Sequence, residues 1–216
     1  MAGCAFICAI HFYRWPPKAA NRRLPLAAIL LIGVTALVTG LQFPFSGILS
    51  ALRRDGDALR AGEWWRMVTP LFVQADGLVQ CFVNGIAALI FCPLIERLYG
   101  KKMLALYFIP GLVGEIAGYL RHSHGAGSSV GICGVIGGLF AFVYFHRLEN
   151  PRYLLVPAIA GVCGAAILCF LGDIHGPPIL AGVLLAGMLQ PRTQSVPPHD
   201  NQDESKKQPL APAQRV

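Results

Sequence analysis

The chain contains an uncharged stretch, VGICGVIGGLFAFVYF, at residues 130–145. As an α-helix this stretch would be about 24 Å long, a little shorter than the roughly 30 Å hydrocarbon core of a bilayer. Other apolar runs, each close to the length that a transmembrane helix needs, lie at residues 24–43, 77–95, 103–120, 153–171 and 174–189. Together these runs predict an all-α, polytopic membrane protein with six transmembrane helices.

The composition agrees with a membrane environment. Hydrophobic residues make up 55% of the 216 residues and charged residues only 13%, whereas soluble domains are about a quarter charged. The net charge of +7 does not indicate a nucleic-acid partner, because the basic residues lie in short segments between apolar runs, as in membrane proteins. The seven cysteines show no CxxC spacing and predict neither a disulfide framework nor a metal site.

The basic residues also predict an orientation. With the N-terminus in the cytoplasm, thirteen Lys and Arg residues fall in inside segments and five in outside segments. Because cytoplasmic loops carry an excess of these residues, we expect both termini in the cytoplasm. The membrane itself is expected to be a bacterial cytoplasmic membrane. The chain then divides into a cytoplasmic or interfacial segment (1–23), a six-span domain (24–190) and a Pro- and Gln-rich tail predicted to be disordered (191–216).

Three polar side chains share one predicted depth. Asn84, Cys133 and His175 lie about 20–25 Å from the cytoplasmic ends of their spans, and intramembrane polar groups usually face the bundle interior or a wet cavity. The glycine-rich loop 125–129 is expected to dip into such a cavity, above the first helical turn of the next span, where free N–H groups favour a thiolate. This arrangement predicts a Cys–His dyad, with Gln80 and Asn84 on one helical face as oxyanion donors.

Each of these features has a simpler explanation. A lone cysteine in a glycine-rich transmembrane helix usually packs, and intramembrane amides often join helices by hydrogen bonds. His175 can be an ordinary residue at a helix start. Gly134 and Gly138 form a GxxxG pair, whose usual role is close helix contact. Glu115, in the third span, is expected to hydrogen-bond the glycine-rich loop or to reach the interface as a snorkelling or protonated side chain.

Five segments, in this order and on these spans, resemble the rhomboid family of intramembrane proteases over more than half of the chain. They are GEWWRMVTPLF at 62–72, FVN at 82–84, PLIERLYG at 93–100, GICG at 131–134, and His175 with Gly182 seven residues later.

The resemblance implies a six-helix rhomboid-like bundle and an endopeptidase that cleaves transmembrane segments of membrane proteins with a nucleophile–histidine dyad. It implies no cofactor and no metal. Cys133 and His175 would be the catalytic residues, and Gln80 and Asn84 would be the oxyanion-hole candidates. Residues with a structural role in the motifs would be Trp65, Arg66, Glu115, Gly131, Gly134, Gly138 and Gly182.

The chain departs from the family pattern at four positions near this site. Cys133 replaces the nucleophilic serine, and Gln80 stands where the family usually has a histidine. Gly137 replaces an aromatic residue, and Pro178 replaces a glycine three residues after His175. These changes leave a second interpretation open, a rhomboid-like pseudoprotease that binds transmembrane clients without cleaving them. A solute transporter is less favoured, because the chain shows no repeated halves.

Overall fold

The computed structural model describes residues 1–17 and 20–190. The predicted tail, 191–216, lies outside the described residues. Every regular element in the described part is helical, which confirms the all-α class. The α-helices are α1 (Ala2–Arg14), α2 (Leu26–Gln42), α3 (Ser46–Leu52), α4 (Gly56–Arg60), α5 (Gly77–Tyr99), α6 (Lys102–Leu120), α7 (Ser129–Phe145), α8 (Leu155–Leu171) and α9 (Gly176–Met188). Short 3₁₀ turns occupy Trp64–Met67, Thr69–Phe72 and Arg152–Leu154.

The six predicted spans correspond to α2 and to α5 through α9. Three helical segments of the described chain are both long and apolar enough to cross a membrane: Gly77–Tyr99, Lys102–Leu120 and Arg152–Leu171. The other three are shorter, and α9 has only 13 residues, or about 20 Å of helix. Its length is limited at the start by Pro177 and Pro178, which suit the first helical turn because the N–H groups there need no intrahelical partner.

The N-terminus of α2 is held by a carboxylate from the end of α5. Glu96 accepts hydrogen bonds from the backbone N–H groups of Ala27 at 3.1 Å and Ala28 at 2.6 Å. These N–H groups have no partner inside their helix, and a negative charge at this end also interacts favourably with the helix dipole. The contact fixes the first predicted span against the second.

At the centre of the bundle, α7 packs against α5, α6 and α9. Glycines allow α7 and α9 to approach with their backbones in contact. A Cβ atom added to Gly182 would collide with the carbonyl oxygen of Gly134, and one added to Gly137 would collide with that of Ile179. The glycine pattern therefore serves close helix packing, and Gly137 leaves no room for an aromatic side chain between the two helices.

The apolar N-terminal run forms α1, which packs against α5, α7 and α8. Ala5, Cys8 and Phe12 are buried there. Ring contacts join Phe6 to Phe91, Phe12 to Phe142, and His11 to Tyr153, whose hydroxyl lies 2.6 Å from His11 Nδ1. The 13 residues of α1 span about 20 Å, too short to cross a bilayer core. The expected interfacial placement of this segment stays a prediction.

The GEWWRMVTP segment closes the C-terminal end of α3. The last carbonyl groups of a helix lack partners within the helix, and here side chains supply them. Trp65 Nε1, Arg66 Nη1 and Thr69 Oγ1 donate to the carbonyls of Ala51, Ser50 and Leu52 at 3.2, 2.8 and 2.8 Å. Arg66 is buried and also pairs with Glu63 at 2.7 Å. Trp65 and Arg66 therefore stabilise the long loop before α5.

Candidate active site

His175 lies at the turn that joins α8 to α9. Gly172 ends α8 in the left-handed conformation, with φ of 84°, which a residue with a side chain adopts only at a cost. The chain then turns through Asp173, whose Oδ1 accepts a hydrogen bond from the backbone N–H of His175 at 2.8 Å and lies 2.7 Å from His175 Nδ1. His175 is the N-cap residue of α9, so both its backbone and its ring are held in place.

Asp173 determines which ring nitrogen of His175 carries the proton. Burial disfavours the ionised carboxylate, but the hydrogen bonds from the backbone and the ring of His175 favour it more, so the pKa of Asp173 lies below its usual value. An ionised carboxylate can only accept hydrogen bonds. His175 Nδ1 must therefore donate, which leaves Nε2 with a free electron pair in the neutral ring.

The other ring nitrogen contacts the first residue of α7. His175 Nε2 lies 3.0 Å from Ser129 Oγ, and because Nε2 is the acceptor, the serine hydroxyl donates. Asp173, His175 and Ser129 thus form one hydrogen-bonded chain across the starts of α7 and α9. No role for Ser129 or Asp173 was predicted from the sequence. Two signals could have found them: Ser129 is one helical turn before Cys133, and Asp173 is two residues before His175.

Cys133 lies one turn further along the same face of α7 as Ser129 and is partly buried. Within the described chain, no hydrogen bond joins Cys133 to His175; the ring of His175 bonds Asp173 and Ser129 instead. The Cys133–His175 dyad therefore stays a prediction.

A cavity of about 180 Å³ opens beside His175. The loop before α7 covers part of it, as expected from the glycine-rich sequence. Its walls include Arg54, Gln80, Glu115, Gly127, Ser129 and His175. Of the four predicted catalytic and oxyanion residues, those at this cavity in the described chain are Gln80 and His175.

Gln80 joins two parts of the cavity wall. Its Oε1 accepts from the backbone N–H of Asp76 at 2.9 Å, and its Nε2 donates to the carbonyl of Ala126 at 3.1 Å. The side chain therefore holds the loop before α7 against the start of α5. An oxyanion role for Gln80 stays a prediction, and it would require the amide to leave Ala126.

Asn84 faces a second, smaller cavity of about 80 Å³. Its Nδ2 donates to Gln74 Oε1 at 2.7 Å, and Gln74 Nε2 donates to Ser128 Oγ at 3.0 Å. Gln74 also exchanges two hydrogen bonds with Gln42, at 2.7 and 3.0 Å. This buried network, which was not predicted from the sequence, ties α2, α5 and the start of α7 together. The oxyanion role of Asn84 stays a prediction.

Comparison with known proteins places these features in a family. Residues 61–188, more than half of the chain, match the Rhomboid domain. The chain belongs to the rhomboid family. It is 28% identical over 136 residues to the rhomboid protein YdcA of Bacillus subtilis, covering 51% of this chain and 68% of YdcA.

Two further relatives are rhomboid proteases by name. The rhomboid protease GluP of Bacillus subtilis is 31% identical over 103 residues, covering 47% of this chain and 20% of GluP. Rhomboid-like protease 3 of Toxoplasma gondii is 35% identical over 111 residues, covering 50% of this chain and 42% of the relative. The chain is thus an integral membrane protein of the rhomboid family, and it spans only a minor part of these two proteases.

Glu115 acts on the loop before α7 through an arginine. Glu115 Oε2 pairs with Arg54 Nη1 at 2.7 Å, and both side chains are almost completely buried. Arg54 in turn donates to the carbonyl and hydroxyl of Ser123 at 3.0 and 2.9 Å, and its backbone N–H donates to the carbonyl of Gly125. The expected direct bond from Glu115 to the loop is replaced by this relay, because a buried carboxylate requires a counter-charge.

The start of α7 offers free backbone N–H donors next to the candidate site. The first helical bond runs from the Ile132 N–H to the Ser128 carbonyl. Among the hydrogen bonds of the described residues, none uses the N–H groups of Ser129, Val130 or Gly131. A helix N-terminus with unpaired N–H groups stabilises nearby negative charge, so the elements for stabilising an oxyanion are present beside Ser129 and His175.

Proposed function

We propose that this chain is an intramembrane endopeptidase that cleaves transmembrane segments of membrane proteins, with His175 as the general base and Cys133 as the nucleophile. The observation that carries the proposal is the ring of His175, which Asp173 holds beside the start of α7 with Nε2 as proton acceptor. The GICG segment of the rhomboid match supports Cys133 as the nucleophile.

In the proposed reaction, the ring of His175 turns from Ser129 toward Cys133, about one helical turn away. Nε2 takes the thiol proton as the sulfur attacks a peptide carbonyl of the unwound substrate segment. Gln80 and Asn84 donate to the developing oxyanion. The proton then passes from Nε2 to the leaving amine, and water hydrolyses the acyl-thioester with His175 again as base.

A cleavage assay with a helix-breaking model substrate in proteoliposomes tests the proposal. Cys133→Ala and His175→Ala should each reduce cleavage at least a hundredfold, because nucleophile and base act as a unit. Cys133→Ser should still cleave. Cys163→Ala is the matched control, since Cys163 is an exposed thiol on α8 and its loss should leave the rate unchanged.

Two outcomes would contradict the proposal. If Cys133→Ala cleaves as fast as the wild type, Cys133 is not the nucleophile. If neither the wild type nor Cys133→Ser cleaves any transmembrane substrate but both bind one, the pseudoprotease interpretation replaces the endopeptidase. In the structure Asn84 is hydrogen-bonded to Gln74 and His175 to Ser129. These bonds favour the second function, because they occupy the groups that the Cys133 reaction would use.

A further inference from the structure

Ser129, His175 and Asp173 have the geometry of a serine hydrolase triad. The Ser129 Oγ to His175 Nε2 distance is 3.0 Å, and the His175 Nδ1 to Asp173 Oδ1 distance is 2.7 Å. Both lie within the roughly 2.6–3.2 Å expected between a nucleophile, its base and the group that orients the base. Such triads are recognised by geometry and by the role of each atom, independently of sequence position.

The surroundings of Ser129 meet the remaining requirements of acyl transfer. The side chains of His175 and Asp173 are 37% and 43% exposed, so a small molecule can reach them. Among the described residues, the N–H groups of Ser129, Val130 and Gly131 in the first turn of α7 have no hydrogen-bond partner. They can stabilise an oxyanion formed at Ser129. Asp173 keeps the ring in the tautomer that accepts the serine proton.

The size of the cavity limits the substrate. The cavity beside Ser129 has a volume of about 180 Å³. A helix with side chains is about 10 Å across and does not fit this space, whereas a short acyl chain does. Ser129 and His175 both line the cavity, so a short acyl chain bound there would lie beside the serine and its base.

We propose that Ser129 is a second nucleophile of this site, activated by His175 and Asp173, and that it hydrolyses small carboxylic esters. His175 Nε2 takes the hydroxyl proton while a bond forms between Ser129 Oγ and the ester carbonyl carbon, whose π electrons move to the oxygen. The tetrahedral intermediate re-forms the carbonyl and breaks the bond to the leaving alcohol, which receives the proton from Nε2. Water, deprotonated by His175, then hydrolyses the acyl-serine ester and returns Ser129 to its hydroxyl form.

This second activity shares His175 with the proposed endopeptidase but does not depend on Cys133 or on transmembrane substrates. It can therefore be tested on the purified full chain in detergent. A fluorophosphonate probe reports the nucleophile, because the attacking Ser129 oxygen bonds to phosphorus as fluoride leaves and His175 takes the proton. Hydrolysis of p-nitrophenyl butyrate reports turnover.

The triad predicts a distinct pattern across variants. Mass spectrometry should place the phosphonate on Ser129. Labelling and ester hydrolysis should fall to background in Ser129→Ala and His175→Ala, and at least tenfold in Asp173→Asn, in which the ring loses its orienting carboxylate. Cys133→Ala should retain both signals. Ser123→Ala is the matched control, because Ser123 also lines the cavity but its hydroxyl bonds Arg54.

Other patterns would overturn the inference: no label on the wild type, label on another residue, unchanged labelling in Ser129→Ala, or loss of label in Cys133→Ala. The transmembrane cleavage assay on the same preparation separates the two proposals. If cleavage depends on Cys133 while Ser129 stays unlabelled, only the triad fails. If Ser129 is labelled while no transmembrane substrate is cut, only the endopeptidase fails.

Discussion

The buried ion pair between Arg54 and Glu115 supports the loop before α7 through the bonds of Arg54 with Ser123 and Gly125. Glu115→Leu would leave the guanidinium buried without its counter-charge, which typically costs about 3–5 kcal/mol. Glu115→Gln keeps a hydrogen-bond acceptor and should cost less. Thermal unfolding in detergent should therefore rank the wild type first, Glu115→Gln second and Glu115→Leu last.

A double variant separates the contribution of the Arg54–Glu115 pair to stability from that of the other contacts of Arg54. Arg54→Met with Glu115→Leu removes both charges and should recover part of the stability lost in Glu115→Leu, because an apolar pair of similar volume can replace a buried salt bridge. Recovery should be incomplete, since Arg54 also binds Ser123. Equal unfolding temperatures for the wild type and Glu115→Leu would show that the pair contributes nothing to stability.

Individual site residues were predictable to different degrees. Cys133 and His175 could be assigned a similar depth because a helix rises by a fixed distance per residue, and their catalytic roles stay predictions. The positions of Ser129 and Asp173 near Cys133 and His175 were visible in the sequence. Their bonds to the His175 ring were not, because these depend on the turn at Gly172 and on the rotation of α9 about its axis. These bonds therefore emerged only from the structure, as did the hydrogen bond of Asn84 to Gln74.

At the scale of helices, the contact between α7 and α9 should be the least tolerant of added volume. Gly182→Ala places a methyl group against the carbonyl of Gly134, so the two backbones must separate. Overpacking of this kind typically costs about 1–3 kcal/mol, and the shift would also move His175 relative to Ser129. We expect a lower unfolding temperature and weaker phosphonate labelling.

Gly85→Ala in α5 is the control for this substitution, because an added Cβ there meets no other atom within 4 Å. It should leave stability unchanged or slightly raised, since alanine favours the helix over glycine. If Gly182→Ala unfolds at the same temperature as Gly85→Ala, the close approach of α7 and α9 does not limit stability.

Helix positions were predictable from long apolar runs, but helix packing was not. The pattern at Gly134 and Gly138 indicated a close contact without naming the partner, which is α6. A Cβ on Gly134 would collide with the Leu106 carbonyl oxygen, and one on Gly138 would meet the Leu106 side chain at 3.1 Å. For α1, too, the sequence did not reveal the packing partners. Its length excluded a full span, yet nothing in a 13-residue apolar run specifies that it packs against α5, α7 and α8.

In the molecule as a whole, the candidate site lies at one end of the bundle. The loop before α5, the connection from α6 to α7 and the turn from α8 to α9 meet there, joined by the contacts of Arg54 with Ser123 and of Ser129 with His175. The other end carries the junctions of α5 with α6 and of α7 with α8. The membrane side that each end faces follows from the charge distribution and remains a prediction.

We expect the end with His175 to face outward. The segments predicted to lie inside hold thirteen Lys and Arg residues, and those predicted to lie outside hold five. This excess favours the end opposite His175 as cytoplasmic, because positively charged loops are retained on that side. Reporter fusions after residues 14, 101 and 150 should therefore show cytoplasmic activity, and fusions after residues 58 and 124 external activity. Replacing Lys101 and Lys102 with glutamine tests the cause and should weaken this bias without changing the helices. Reversed reporter signals in the wild type would place the His175 cavity on the cytoplasmic side, where substrates would have to enter from the cytoplasm.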